Sequence, residues 1–339
     1  MRRRVFASLI VVIVLAGLLE LAGLMAEDAR PSAQAGTSAP SDSPPPGYKS
    51  MAGVKLAIVL GQLKLINPRV EVPESVEVRR DIEYGKGGEE SLKLDLYSPK
   101  TVQRPVPGLI FIHGGAWKGG KRSDYHFYTV RFAERGYVVA TVSYRLLPKS
   151  PFPAAVHDVK CAVRWMRANA RKLNVDPDRI GVIGGSAGGH LAMMIGYSSD
   201  VPKLEGTGGH AGVSSRVQAV VNLYGPVDLT TPYASGNSLI IRFLGGKTIE
   251  ESRTRYELAS PISHITHDDP PTLIFHGTID DTVPIEQADL LAEKLKSTRV
   301  PYRYDRLEGW PHAMDLAEVV NQRCQRLMME FFKKHLLKP

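Results

Sequence analysis

Hydrophobic and polar residues alternate with two different periods along this chain. The stretches "SVEVRRDIEYG" and "SLKLDLYSP" alternate residue by residue and are separated by "KGGEE", which predicts an antiparallel hairpin beginning near residue 75. After this hairpin, short and nearly continuous apolar runs alternate with stretches of helical spacing. The runs that predict strands are 108–115, 136–145, 179–185, 217–225, 272–277 and 302–309, and the predicted helices are 124–134, 153–173, 187–197, 284–298 and 316–336.

This alternation of strands with helices predicts an α/β fold. Nearly continuous apolar strands are typical of a parallel sheet that is buried on both faces, and the helical stretches can cover those faces. We therefore expect a mostly parallel central sheet with an N-terminal antiparallel hairpin and helices on both faces, within residues 75–339. Residues 228–263 are too long for a simple connection, and they could form a small cap over the edge of the sheet where ligands bind.

The first residues have the pattern of an export signal. A cluster of arginines precedes an uncharged apolar run from Val5 to Leu19, which favours a secretory signal peptide over residues 1–26. Leu24 occupies a position where cleavage prefers a small residue, so an uncleaved membrane tether through residues 5–26 is the alternative. Both interpretations place the remaining chain outside the cytoplasm, as a periplasmic, secreted or membrane-anchored protein.

Two further segments precede the predicted hairpin. Residues 27–50 are rich in Pro, Ser and Ala and contain almost no large apolar residues, which predicts a linker. Residues 51–74 begin with "MAGVKLAIVLGQLKLI", which predicts a short amphipathic helix. This N-terminal helical segment could pack on the main domain or lie near a membrane surface.

Composition and charge narrow the classes of function. The chain has 339 residues, of which 43% are hydrophobic and 23% charged, so it can bury a substantial core. Its formal net charge is +8, but no basic stripe with interleaved aromatic residues is present, and we expect no nucleic-acid partner. Cys161 and Cys324 lie in segments of helical spacing, which indicates buried thiols, although a single disulfide between them remains open.

A serine among glycines is the first candidate for chemistry. The stretch from Gly184 to Gly188, "GGSAG", fits the pattern G-x-S-x-G between a predicted strand and a predicted helix. A serine presented on such a sharp turn has a strained backbone and requires small neighbours. Ser186 is therefore a candidate nucleophile, and the amide of Ala187 would point toward an acyl oxygen beside it. The alternative is a glycine-rich loop without chemistry.

A second motif, "HGGAW", follows the predicted strand "GLIFI". Backbone N–H groups in a glycine-rich strand end can face an oxyanion without obstruction by side chains. We expect the amides of Gly115 and Ala116 to be the donors, and His113 to hold the loop in place. An ordinary turn at the end of the strand is the alternative.

A candidate acid and a candidate base follow Ser186 in the second half of the chain. In "TLIFHGTIDDTVP", Asp280 lies at the carboxyl end of a predicted strand, with Asp281 as its rival. In "LEGWPHAMD", His312 lies in a loop from which its ring could reach a serine hydroxyl and accept its proton. A carboxylate on the other ring nitrogen would stabilise the resulting imidazolium.

The chain from about residue 75 to 336 resembles the α/β-hydrolase superfamily, in which serine, acid and histidine follow in this order. More narrowly, it resembles bacterial carboxylesterases of the hormone-sensitive-lipase-like group and the bimodular feruloyl and acetyl-xylan esterase group. The motifs that carry the resemblance are "HGGAW", "YVVATVSYRL", "FPAAVHDVKCAVRWMRANA", "DRIGVIGGSAGGHLA", "HGTIDDTVP" and "GWPHAMD". The sequence departs from the group at Ala116, where hormone-sensitive-lipase relatives typically have glycine. Because this position would contribute only a backbone N–H, the oxyanion site should persist.

The resemblance implies ester hydrolysis without metal or cofactor, through an acyl-enzyme on Ser186 with Asp280 and His312 as orienting acid and base. The expected substrate is a small-molecule or carbohydrate-linked ester. An amide hydrolase, either an arylformamidase or a peptidase, would use the same residues, and a catalytically silent binding module is a further alternative. Trp117 and Trp310 flank the motifs and could line the substrate pocket or simply pack. The sequence does not predict the oligomeric state.

Overall fold

The computed structural model of the protein describes residues 43–68 and 70–337. In this part of the chain, eight strands form one sheet in the order β1-β2-β4-β3-β5-β6-β7-β8. The strands are β1 Val76–Gly87, β2 Glu90–Pro99, β3 Val106–Ile112, β4 Val138–Val142, β5 Val175–Gly185, β6 Ala219–Leu223, β7 Thr272–Gly277 and β8 Tyr302–Leu307. The α-helices are α1 Met51–Val59, α2 His126–Glu134, α3 Ala154–Ala168, α4 Ala170–Leu173, α5 Ala187–Tyr197, α6 Pro232–Ser235, α7 Ser238–Phe243, α8 Ile249–Leu258, α9 Glu286–Ser297 and α10 Glu318–Leu336.

The sheet has the mostly parallel architecture that the sequence predicts. Strands β3 to β8 pair in parallel, whereas β1 pairs antiparallel with β2, and β2 pairs antiparallel with β4. The predicted antiparallel hairpin is therefore confirmed, and it extends the sheet beyond β4. The expectation of an α/β fold with helices on both faces is also confirmed.

The central strands are apolar throughout because both faces of the sheet are covered. Successive side chains of a strand point to opposite faces. Along β3, Leu109 and Phe111 belong to one buried cluster, and Ile110 and Ile112 belong to the other. Helices α3, α5 and α9 contribute to the cluster of Ile110, and helices α1, α2 and α10 contribute to the cluster of Leu109.

The cysteines lie in these two different clusters. Cys161 is in the cluster of Ile110 and Cys324 is in the cluster of Leu109, and both are buried free thiols. The alternative of a disulfide between them is therefore wrong, because the sheet separates the two side chains.

The predicted signal segment, residues 1–26, and the predicted linker up to residue 42 lie outside the described residues. Within the described chain, no helix is long and apolar enough to cross a membrane. Ser50 caps the N-terminus of helix α1, because its hydroxyl accepts a hydrogen bond from the amide of Gly53, and the helix packs on the domain through Val54 and Ala57. Residues 228–263 contain the short helices α6, α7 and α8.

Candidate active site

Ser186 occupies a strained turn between β5 and α5. Its backbone has φ +56° and ψ −124°, a conformation that residues with a side chain rarely adopt. Two hydrogen bonds hold the turn: the amide of Ser186 donates to the carbonyl of Leu223 at 2.9 Å, and the amide of His190 donates to the carbonyl of Ser186 at 3.0 Å. The turn presents the serine side chain at the carboxyl end of β5, as the G-x-S-x-G pattern predicts.

The glycines around Ser186 are required by close backbone contacts. A Cβ atom on Gly184 would lie 2.1 Å from the carbonyl oxygen of Gly188. A Cβ atom on Gly188 would lie 2.1 Å from the carbonyl oxygen of Ile112. Because both contacts are with backbone atoms, neither position can accept a side chain without moving the strand or the helix.

The structure brings Ser186, His312 and Asp280 together. Nε2 of His312 lies 3.0 Å from Oγ of Ser186, and Nδ1 of the same ring lies 2.6 Å from Oδ2 of Asp280. His312 follows β8, and Asp280 follows β7. The three side chains therefore form one continuous chain of hydrogen bonds along the carboxyl edge of the parallel strands.

Asp280 is buried and strongly held. Its Oδ1 accepts hydrogen bonds from the amides of Thr282 at 2.9 Å and Val283 at 2.8 Å. Burial alone would raise the pKa of Asp280, but its contacts with His276 and His312 outweigh this effect and lower the pKa to about 2. The carboxylate is thus ionised at neutral pH.

The rival carboxylate, Asp281, points elsewhere. It is exposed, and its Oδ1 lies 3.3 Å from the hydroxyl of Thr282. His276, by contrast, is fully buried with Nε2 3.2 Å from Oδ2 of Asp280 and 2.8 Å from the carbonyl oxygen of Val283. The sequence does not predict this second histidine contact, because only the turn after β7 brings the two side chains together.

The loop that carries "HGGAW" has an unusual backbone. Gly115, Ala116 and Trp117 have successive positive φ angles of 101°, 53° and 55°. A Cβ atom on Gly114 would lie 3.3 Å from Cβ of Ser186, so this loop packs directly beside the serine. A turn can direct successive backbone N–H groups toward one side, where an anion can bind.

Tyr144 and His113 stabilise this loop. The Tyr144 hydroxyl donates to the carbonyl oxygen of His113 at 2.9 Å, and the two rings stack with centroids 4.4 Å apart. Nδ1 of His113 lies 2.9 Å from the carbonyl oxygen of Gly114, and burial lowers the pKa of His113. His113 is therefore neutral, and its hydrogen bond lies within its own loop. The structure does not bring it into the hydrogen-bond chain of Ser186.

The two candidate tryptophans have different environments. Trp117 stacks on Phe243 of α7 with ring centroids 4.2 Å apart, and it contacts the ring of His190 at 5.2 Å. The region 228–263 thus packs against the "HGGAW" loop through Phe243. Trp310 is 1% exposed, and its Nε1 donates to the carbonyl oxygen of Pro45 at 3.0 Å. Trp310 therefore packs against the N-terminal segment.

The sequence did not indicate a role for two further residues near His312, Tyr224 and Asp315. The ring centroid of Tyr224 lies 4.7 Å from that of His312, and the Tyr224 hydroxyl donates to Oδ1 of Asp315 at 2.5 Å. Only the tertiary structure brings this tyrosine, which follows β6, next to the loop after β8.

The strand order and the position of the Ser186 turn at the end of β5 define the chain as an α/β-hydrolase. The BD-FAE family matches residues 94–295, a stretch that extends from β2 into α9. The chain belongs to this family of esterases. His312 lies beyond the matched stretch, so its placement beside Ser186 rests on the structure itself.

Known proteins with similar sequences and structures are also esterases. The chain is 34% identical over 247 residues to the esterase LipC of Mycobacterium tuberculosis, an alignment that covers 71% of this chain and 60% of LipC. It therefore spans about three fifths of the length of this curated relative.

Two solved structures are similar over most of the chain. The apo form of Thermogutta terrifontis esterase 2 superposes with a TM-score of 0.67 at 30% identity, covering 80% of this chain and 97% of the other. Structures of that esterase include propionate-bound and butyrate-bound forms. A truncated carbohydrate esterase from gut microbiota superposes with a TM-score of 0.67 at 27% identity, covering 77% of this chain and 97% of the other.

Proposed function

We propose that the protein is a serine carboxylesterase that hydrolyses small or carbohydrate-linked carboxylic esters through an acyl-enzyme on Ser186. The observation that carries this proposal is the continuous hydrogen-bond chain from Oγ of Ser186 through His312 to the buried carboxylate of Asp280. The proposed reaction uses no metal ion or cofactor.

In the first half of the reaction, Oγ of Ser186 attacks the carbonyl carbon of the ester, and Nε2 of His312 accepts the hydroxyl proton. The ionised Asp280 stabilises the imidazolium through Nδ1. The amides of Gly115, Ala116 and Ala187 would donate to the oxyanion of the tetrahedral intermediate. The intermediate then expels the alcohol, which takes the proton from His312, and an ester of Ser186 remains.

In the second half, water replaces the serine hydroxyl as the nucleophile. His312 removes a proton from the water as it attacks the acyl carbon, and a second tetrahedral intermediate forms in the same oxyanion site. When this intermediate collapses, the Ser186 oxygen leaves and takes the proton back from His312. The carboxylic acid is released, and the hydrogen-bond chain returns to its starting state.

The substrate class is supported by the similar proteins. The propionate-bound and butyrate-bound forms of the Thermogutta esterase support short acyl chains, and the carbohydrate esterase supports a sugar-linked alcohol. A matched substrate panel can separate these classes. We expect turnover of p-nitrophenyl butyrate, acetylated sugars or feruloyl esters to exceed turnover of formylkynurenine, and a preference for formylkynurenine would favour the arylformamidase alternative.

The nucleophile can be tested by replacing Ser186 with alanine. We expect turnover of p-nitrophenyl butyrate to fall by about 10⁶-fold, to background hydrolysis, with an unchanged melting temperature. Labelling by a fluorophosphonate probe should disappear in the same variant. Ser263→Ala, which changes an exposed serine in the 3₁₀ turn Pro261–His264, is the control and should retain both turnover and labelling. Near-wild-type turnover in Ser186→Ala would overturn the proposal.

We also propose that the protein is exported, because the basic cluster and the apolar run from Val5 to Leu19 have the pattern of a signal sequence or anchor. Expression of the full chain in a bacterial host, followed by fractionation and N-terminal sequencing, tests this proposal. Activity in the periplasm or medium is expected after cleavage, and activity in the membrane fraction is expected for a tether through residues 5–26. Recovery of the intact chain in the cytoplasm would overturn the proposal.

A further inference from the structure

Tyr224 occupies a strained position between the strands that carry the site. It follows β6, which lies between β5 and β7, and therefore between the strands that end at Ser186 and lead to Asp280. Its φ of +44° is unfavourable for a residue with a large side chain, and a hydrogen bond from its amide to the carbonyl of Phe275 at 2.8 Å maintains it. Backbone strain of this kind persists where the surrounding structure requires it, which occurs often at functional sites.

The side chain of Tyr224 reaches a buried carboxylate that the proposed reaction does not use. The Tyr224 hydroxyl donates to Oδ1 of Asp315 at 2.5 Å, and the Tyr128 hydroxyl lies 3.3 Å from Oδ2. Asp315 is 1% exposed, and its backbone carbonyl accepts a hydrogen bond from the side-chain amide of Asn321 at 2.8 Å. Hydrogen bonds to its carboxylate and to its backbone carbonyl thus fix the position of Asp315.

Asp315 is also connected to His312 through the chain. Ala313, the residue after His312, has φ +56°, and the segment then forms a short 3₁₀ turn, Met314–Leu316. The turn directs Asp315 inward, so the buried carboxylate anchors the backbone that carries His312. The ring of Tyr224 packs edge-to-face with the ring of His312, with centroids 4.7 Å apart and an interplanar angle of 63°.

We infer that Tyr224 and Asp315 form a buried strut that holds the ring of His312 in its orientation toward Ser186. Tyr224 is a positioning residue, because it contacts the imidazole with its ring and anchors the backbone of the same histidine through Asp315. The inference rests on the proposed function and adds a residue to the same site.

Burial keeps the Tyr224 hydroxyl protonated, so that it remains a hydrogen-bond donor. Burial raises the pKa of Tyr224 well above its ordinary value, so the phenol remains protonated. The packing around the pair also explains Gly185: a Cβ atom there would lie 2.2 Å from the hydroxyl oxygen of Tyr125 and 3.0 Å from that of Tyr224. The strut therefore packs against the backbone of the residue that precedes Ser186.

The chain offers a matched control for this strut. Tyr128 is also buried and also bonds to Asp315, but its bond is longer, at 3.3 Å against 2.5 Å for Tyr224, and its ring packs on Phe111 and Phe127. In Tyr224→Phe, we expect kcat for p-nitrophenyl butyrate to fall on the order of tenfold to a hundredfold with KM changed by less than about twofold, because a small displacement of the base slows the chemical step. In Tyr128→Phe, kcat and KM should stay near those of the parent, even if the variant has a lower melting temperature.

Two replacements of Asp315 separate positioning from general stability. Asp315→Asn retains an oxygen that can accept from Tyr224 and should keep more of the parent kcat than Asp315→Leu, which has no acceptor. Activities are compared at equal fractions folded, judged by circular dichroism. An equal kcat in the two Asp315 variants, or an equal kcat loss in Tyr128→Phe and Tyr224→Phe, would contradict the strut.

Proton NMR supplies a readout that does not require activity. The far-downfield Nδ1 proton of His312, assigned by its absence in His312→Gln, should shift or broaden in Tyr224→Phe and stay unchanged in Tyr128→Phe. An unchanged resonance in Tyr224→Phe would overturn the inference. An inactive parent enzyme would overturn the proposed function alone, since the resonance would still decide whether Tyr224 positions the ring.

Discussion

Asp280 and His312 meet through a 2.6 Å contact between the carboxylate Oδ2 and the imidazole Nδ1. The adjacent Asp281 is exposed and contacts Thr282 instead. Two carboxylates that are adjacent in the chain therefore differ in environment: that of Asp280 is buried and hydrogen-bonded, whereas that of Asp281 is exposed to solvent. The two aspartates form a natural pair for testing which carboxylate orients the base.

Replacing each aspartate with asparagine should give unequal results. Asp280→Asn should lower kcat on the order of 10³-fold to 10⁴-fold, because the amide cannot stabilise the imidazolium and favours the wrong ring tautomer. Asp281→Asn should leave kcat within about twofold of the parent, since surface substitutions have small effects. Steady-state kinetics with p-nitrophenyl butyrate measure both, and a larger loss in Asp281→Asn would refute the assignment.

The oxyanion role of Ala116 can be tested through its backbone. Ala116→Pro removes the N–H and cannot adopt a φ of +53°, so we expect kcat to fall by about 10²-fold to 10³-fold. Ala116→Gly keeps the N–H and relieves the positive φ, and it should preserve kcat with an equal or higher melting temperature. Equal activity in the proline and glycine variants, each confirmed as folded, would remove this amide from the mechanism.

His190 makes the stability of the fold depend on pH. It is fully buried one turn after Ser186, and burial lowers its pKa from 6.5 to about 4. Unfolded chains therefore protonate this residue at a higher pH than folded chains do. The contribution of His190 to the free energy of unfolding should therefore decrease by about 3 kcal/mol as the pH falls from 6.5 to about 4.

The measurement is urea unfolding of the parent and of His190→Gln across this range. Glutamine can still donate to the carbonyl of Ala259, which accepts from Nε2 of His190 at 2.8 Å. Burial raises the pKa of Asp269 to about 6, so its contribution changes in the opposite direction, and the comparison of the two proteins cancels it. Parallel pH dependences in parent and variant would show that His190 contributes nothing.

Local patterns were sufficient to predict the scaffold and the candidate nucleophile. The apolar runs predicted a sheet covered on both faces because parallel strands must be apolar on both sides. The glycines around Ser186 predicted a strained strand-to-helix turn, and the structure has it, with backbone atoms 2.1 Å from where a Cβ on Gly184 or Gly188 would lie. These predictions succeeded because they depend on residues that are close along the chain.

What the sequence by itself determined is therefore the α/β architecture, the turn at Ser186 and the order of its candidate partners. Only the tertiary structure decided that Asp280 rather than Asp281 contacts His312, and that Trp310 packs on Pro45. Likewise, the contact of Tyr224 with Asp315 joins residues far apart in the chain. Periodicity and small-residue motifs report local backbone geometry, whereas the direction and partner of a side chain depend on how distant strand ends come together in the folded sheet.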